Sequence, residues 1–239
     1  MIRVAFVIGG YPPEEHKRRA DTALSYSTTE IQVGIVDVKA SPYFYGMTPT
    51  EIQLVAPAFI ESFRQAEREG FDAVVPLGTL DLGVDGGKSA VDIPVIGPTE
   101  ATLHVASLVG DRFGVIVYHQ DQMPFLRAIV RRYGMEHRVV DFGVSGFDLP
   151  DLAVHHDEVV ENFISEAQRL IHLGAEVIIP MGISQCPVHI KPHWLQERLG
   201  VPVVEAIGAP IRMAALLVGL GLKPSRIRWP KSRMWEAET

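Results

Sequence analysis

The one thiol of the chain, Cys186, stands in Met181-Gly182-Ile183-Ser184-Gln185-Cys186-Pro187, just after a short apolar run. A second segment of the same kind, Leu77-Gly78-Thr79-Leu80-Asp81-Leu82-Gly83, follows another apolar run. Each leaves its run through a glycine, so the backbone can turn sharply and leave amide N–H groups facing a carboxylate or a developing oxyanion. Such donors can bring a thiol from its ordinary pKa of about 8.5 into the range where it takes or gives a proton at carbon. The same cysteine can equally be a small buried hydrophobe. Thr79 can donate its hydroxyl to a substrate carboxylate or cap the next helix. Tyr118 ends the run Phe113–Val117, from where its phenol can reach the same site or serve as an ordinary amphipathic aromatic. The expected catalytic set is Cys186, Thr79 and Tyr118. The turn residues Gly78, Leu80, Asp81, Ser184, Gln185 and His189 are the expected substrate contacts.

Other chemistries fit less well. Cys186, His189 and His193 have a Cys-x2-His-x3-His spacing, but Pro187 and Pro192 interrupt it and no fourth ligand is evident, so no metal site is expected. The adjacent pair His155-His156 reads as the start of a solvated helix. Gly83 and Gly86-Gly87 match neither G-x-G-x-x-G nor a Walker pattern, and Ser184 lacks the G-x-S-x-G elbow of serine hydrolases.

The elements that must position these groups alternate between short β-rich runs and longer helical stretches. Strands are expected at Ile2–Ile8, Ile31–Val38, Asp72–Leu77, Pro94–Gly97, Phe113–Tyr118, Glu176–Met181 and Val201–Val204. Helices are expected over Thr50–Glu69, where Ile52, Val55, Phe59, Phe63 and Ala66 share a face and Thr48 or Thr50 caps the start. Others are expected over Thr99–Val109, Met123–Tyr133, His155–Leu173, Pro192–Leu199 and Ile211–Leu220. Strands separated by helices mean βαβ units and a mostly parallel sheet. The length of 239 residues with 47% hydrophobic content allows one large domain or two small ones and excludes intrinsic disorder. A single cysteine excludes an intramolecular disulfide framework. The net charge of -7 argues against a nucleic-acid partner, and no run is long enough to span a membrane. With no secretory signal in the first residues, a cytoplasmic location is expected.

An internal repeat organises the chain. Phe71-Asp-Ala-Val-Val-Pro-Leu-Gly78 matches Ala175-Glu-Val-Ile-Ile-Pro-Met-Gly182. Ile93-Pro-Val-Ile96 matches Val201-Pro-Val-Val204, and Ser107-Leu-Val-Gly110 matches Leu216-Leu-Val-Gly219. The ordered series points to an α/β fold of two similar doubly wound domains with parallel sheets, related by a pseudo-twofold axis. The strand-end loops would then face a shared cleft, a common place for small-molecule sites. Residues 1–100 with 206–239 would form the first domain and 101–205 the second.

The two strand-Gly turns, Asp92-Ile-Pro-Val-Ile-Gly97, Gly200-Val-Pro-Val-Val204 and Ala214-Ala-Leu-Leu-Val-Gly-Leu-Gly221 together resemble the aspartate/glutamate/hydantoin racemase superfamily. The resemblance implies two α/β domains with the active site between them, no cofactor, and assembly as a dimer or larger homo-oligomer. It also implies a cysteine in each turn, one removing a proton from a carbon acid and the other returning one. At the first cysteine position stands Gly78, followed by Thr79. At the second, counting from the strand gives Ile183, and a short insertion gives Cys186. The Gly78-Thr79 pair resembles the arylmalonate decarboxylase branch, which implies Thr79 and Tyr118 at the carboxylate that becomes an enediolate and one cysteine as the proton donor.

The expected function is therefore cofactor-independent proton transfer through a carbanion or enolate of a small carboxylate or cyclic imide, by isomerisation or decarboxylation with a single cysteine. Three alternatives stand beside it. One is a true hydantoin or amino-acid racemase with Asp81 or His189 as second base. Another is a non-catalytic two-lobed ligand binder. The last is a metal-dependent hydrolase or lyase using Cys186, His189 and His193.

Overall fold

A computed structural model describes residues 1–39, 48–147 and 152–234. Two compact units divide the chain. The first holds Met1–Leu77, Asp81–Gly97 and the chain from Pro210 onward; the second holds Gly78–Leu80 and Pro98–Ala209.

In the first unit, β1 (Ile2–Ile8), β2 (Ile31–Asp37) and β3 (Ala73–Pro76) form a parallel sheet in the order β2-β1-β3. β1 is the central strand, and its residues Val4 to Ile8 are fully buried, as expected for a strand covered on both faces. Helix α1 (Pro13–Leu24) joins β1 to β2, and α2 (Pro49–Arg68) precedes β3. Thr48 caps α2 in a capping box: its hydroxyl accepts from Glu51 N–H while the Glu51 carboxylate accepts from Thr48 N–H. Val55, Phe59, Phe63 and Ala66 are the buried face of α2, as the helical spacing predicts. A short helix, α3 (Val84–Ala90), follows β3. Its Gly86 and Gly87 lie against Ile60 and the Phe63 ring, where a Cβ would come within 2.5 Å of each. That pair of glycines serves helix packing. Near the end of the described chain, Arg226 donates to the carbonyls of Lys88 and Val91, and Lys231 pairs with Asp92 at 2.7 Å. The Lys231 hydrogen bond is the main influence holding the Asp92 carboxyl below the usual range.

The second unit repeats the arrangement. β4 (Phe113–Val117), β5 (Val139–Val144) and β6 (Val177–Pro180) form a parallel sheet in the order β5-β4-β6. Around it lie α4 (Pro98–Ala106), α5 (Met123–Arg132), α6 (His156–His172) and α7 (Pro192–Leu199); α8 (Gly208–Gly219) begins in this unit. The repeat reappears in the hydrogen bonds. Val74 N–H donates to Pro94 C=O and Ile96 N–H to Val74 C=O; Ile178 N–H donates to Pro202 C=O and Val204 N–H to Ile178 C=O.

The expected strands at Pro94–Gly97 and Val201–Val204 shrink to single parallel bridges, Val74 with Val95 and Ile178 with Val203. Pro94 and Pro202 carry no N–H, so neither ladder can lengthen on their side. Three elements escaped the sequence pattern. Charged α1 buries Arg19, Thr22 and Ala23 rather than an apolar stripe. α3 has only seven residues, and two are glycines. β5 is an edge strand interrupted by Asp141 and Gly143. Among the described residues no helix is long and apolar enough to cross a membrane.

Candidate active site

The carboxyl ends of the parallel strands β4, β5 and β6 gather most of the chemically capable residues of the second unit, the edge at which ligand sites form in such sheets. Tyr118 follows β4 directly, Ser145 follows β5, and the turn from Met181 to Ile190 follows β6. The Gly78–Leu80 segment is pinned to the same edge. Thr79 Oγ1 donates to Met181 C=O at 2.8 Å, and Thr99 Oγ1, at the start of α4, donates to Thr79 C=O at 2.6 Å. These bonds explain why three residues flanked by the first unit belong to the second.

Tyr118 is the best-placed phenol. Its oxygen accepts the Ser184 N–H at 2.6 Å, and its ring lies so close to Gly182 that a Cβ there would meet ring carbons at 3.0 Å. Gly182 is thus required by close approach. Gly78 is required by conformation: its φ of +108° is a backbone region that disfavours any side chain, although the space around it is open. A cysteine at that position would be strained.

Ser184 and Gln185 are buried, and His189 is half-buried on the same turn. Ser184–His189 forms a kinked turn in which Cys186 is extended (φ -132°, ψ 124°), and Ile190 N–H donates to Gln185 C=O at 2.6 Å. Leu80 packs partly buried against the apolar cluster that contains Phe113, Val115 and Met181. Asp81 falls in the first unit. It is buried in a left-handed conformation with φ 50°, and its carboxylate lies against Gly97, where a Cβ would come within 2.6 Å of Oδ2.

Two of the expected roles meet a geometry that favours others. Thr79 was expected to donate to substrate. Its one hydroxyl proton is engaged by Met181 C=O, and the crevice it shares with Thr99, Thr102 and Met181 has no room for a water molecule. Cys186 was expected to be tuned downward by amide donors. It is instead fully buried among Ile116, Val159, Phe163, Ile178 and Leu195, and burial pushes its thiol well above the ordinary range. The Glu205 charge pushes in the same direction, and Lys191 opposes it. A thiol so placed is protonated at neutral pH and is a poor nucleophile and base. Cys186→Ala is accordingly expected to keep kcat within about threefold while costing roughly 1 kcal/mol of stability, the scale of a small lost group in a packed core. Steady-state turnover and a denaturant titration of the same preparation check both halves. Among the described residues no group of three or more His, Cys, Asp or Glu side chains is placed to hold an ion, and Cys186, His189 and His193 form no such group.

The sequence pattern missed Ser145 and Glu205. Ser145 is buried and links Val117 C=O to Gln185; it was hidden because β5 was not read as a strand. Glu205 is buried, and its carboxylate accepts the N–H groups of Ile207 (2.6 Å) and Gly208 (2.8 Å) at the start of α8. An acidic residue directly before a helix was the available signal.

Comparison with known proteins accords with this geometry. The family described as Asp/Glu/Hydantoin racemase matches residues 36–214. The hydantoin racemase of Pseudomonas sp. (strain NS671) is 27% identical over 206 residues, covering 86% of this chain and 82% of its own. Allantoin racemase from Klebsiella pneumoniae superposes with a TM-score of 0.83 at 20% identity, covering 98% of this chain and 95% of its own. Unliganded arylmalonate decarboxylase superposes with a TM-score of 0.63 at 16% identity, covering 92% and 94%. At such identities the two structures establish the shared fold. The match over most of the length shows that this chain belongs to the Asp/Glu/hydantoin racemase family and is an enzyme of that superfamily.

Proposed function

We propose that this enzyme transfers a proton at a carbon next to the carbonyl of a small carboxylate or cyclic imide, without a cofactor, and that oxygen and nitrogen groups do the work thiols would otherwise do. The observation that carries the reading is the Tyr118 phenol, set on the Ser184 amide at 2.6 Å where the turn leaves β6. With the amide N–H fixing its oxygen, the phenol is the group assigned to stabilise a developing enolate oxygen. His189, on the same turn, is the side chain suited to take the proton from carbon and return it, since an imidazole exchanges protons near neutral pH. The electron pair of the broken C–H bond moves onto the carbonyl oxygen and comes back when carbon is reprotonated. Gly78 stands at the first position where the family resemblance puts a cysteine; the second falls on Ile183 or, with a short insertion, on Cys186, which is packed in the core. Both facts favour a non-thiol route.

The test is a panel of 5-substituted hydantoins, amino acids and substituted malonates incubated with the enzyme in deuterated water. Proton NMR and chiral chromatography then follow exchange, inversion and carbon dioxide release. Deuterium entering the α-carbon of at least one member, and falling by about 10²-fold or more in His189→Asn, is the expected result for loss of a general base. Tight binding of a panel member with no exchange would replace this reading with that of a ligand binder.

A further inference from the structure

Gln185 presents an unanswered donor at the strand-end edge of the second unit. Its side chain is fully buried. Ser145 Oγ lies 2.8 Å from Gln185 Oε1 and 3.0 Å from Val117 C=O. One hydroxyl proton cannot serve both acceptors. Val117 C=O already accepts the Ser145 N–H at 2.9 Å, so the arrangement that strands no acceptor sends the hydroxyl proton to Gln185. The amide oxygen is then satisfied, and Nε2, with two N–H donors, is left without a hydrogen-bond partner. The rest of the residue is committed as well. Its N–H donates to Gly182 C=O at 3.0 Å, and its C=O accepts from Ile190. Burying an unanswered amide costs folding free energy that an apolar side chain of similar size would not. A buried donor of this kind is a group that an acceptor from a bound molecule can meet.

We propose that Gln185 is a specificity residue whose Nε2 donates to an acceptor oxygen of the substrate, a carboxylate or imide carbonyl oxygen. The proposal rests on the proton-transfer reading above for its substrate class. Its location supports it: Val117, Ser145 and the kinked Ser184–His189 turn converge where β4, β5 and β6 end, beside the Tyr118–Ser184 contact. Ser145 acts through Gln185 as a positioning residue, holding the carboxamide so that its nitrogen, not its oxygen, is the free end.

The test compares wild type with Gln185→Leu, and with Gln185→Met should the first fail to fold, using calorimetric binding of malonate and of hydantoin, thermal melts and steady-state kinetics. Removing the orphan donor leaves Ser145 free to bond Val117 C=O, so the melting midpoint is expected to stay or rise. Affinity for at least one probe is expected to fall about tenfold or more, with KM rising and kcat moving much less, the pattern of a lost binding contact. Loss of malonate alone identifies a carboxylate contact; loss of hydantoin alone identifies an imide contact. Unchanged affinity for both probes with a raised midpoint would overturn the proposal, because the amide would then be a purely structural flaw. Failure of wild type to bind either probe would overturn it too. If binding depends on Gln185 but no deuterium exchange occurs, the contact stands and the catalytic reading falls.

Discussion

Tyr118→Phe is expected to lower kcat by about 10²–10³-fold, the cost of removing one donor from a developing oxyanion. The phenol is the side chain beside the second turn to which the proposed reaction assigns the enolate oxygen. Its ring is wedged against Gly182, and its oxygen is set by the Ser184 amide. Phenylalanine fills the same space, so the ring contact survives and the change is confined to one oxygen. The Ser184 N–H loses its acceptor, which costs roughly 1–3 kcal/mol for a buried donor. That second effect supplies the control. A purely structural tyrosine would show the stability loss alone, with deuterium exchange per folded molecule unchanged. A catalytic tyrosine shows a much larger fall in exchange than in folded fraction. Exchange rates read by NMR against a urea titration of the same variant separate the two, and an exchange rate within about threefold of wild type would remove Tyr118 from the mechanism.

Phe163→Ala is expected to cost roughly 3–5 kcal/mol, a large part of the roughly 5–15 kcal/mol that holds most proteins folded. Phe163 lies on the buried face of α6 with Val159, Ala167 and Leu170, is fully buried, and belongs to the same apolar cluster as Cys186. Truncation leaves a cavity in the cluster that holds the thiol. At about 2–4 °C per kcal/mol for a chain of this size, the melting midpoint falls on the order of 10 °C. The lone thiol is a built-in reporter. It is buried and protonated in the native state, so a disulfide reagent should label it only as fast as the cluster opens. Labelling should be slow in wild type and much faster in the variant. Rapid labelling of native wild-type protein would contradict the burial of Cys186 and return the thiol to the list of catalytic groups.

The two predictions pull on neighbouring parts of one unit with opposite signatures. Tyr118 sits at the ends of the strands, where its loss is read in catalysis; Phe163 sits beneath them, where its loss is read in stability. Gln185, between these layers, is expected to show a third pattern, weaker binding without weaker folding.

Much of the fold was legible in the sequence because its signals are local. The run Val4–Ile8 is apolar throughout and follows only one charged residue, Arg3, as suits a strand buried on both faces. The spacing of Val55, Phe59, Phe63 and Ala66 marks the buried stripe of α2, and Thr48 with Glu51 marks its start. The repeated Pro-x-Gly turns placed β3 and β6 in equivalent positions, and the two sheets follow the same strand pattern. The family resemblance rests on that order of elements.

The assignment of individual roles was not legible, because the side a turn residue faces depends on elements far away in the chain. Cys186 lies three residues from Ile183, yet helix α6 and the bridge at Val203 enclose its sulfur in the core. Thr79 reads as a free hydroxyl until a carbonyl about a hundred residues later claims its proton. Ser145 and Gln185 have no sequence relation, and only the closing of β5 beside β4 places one hydroxyl between two acceptors. Apolar periodicity records which residues leave water, a property each segment carries by itself. Which polar atoms then meet, and which one is left to meet a ligand, is settled only when the strands pair and their ends converge.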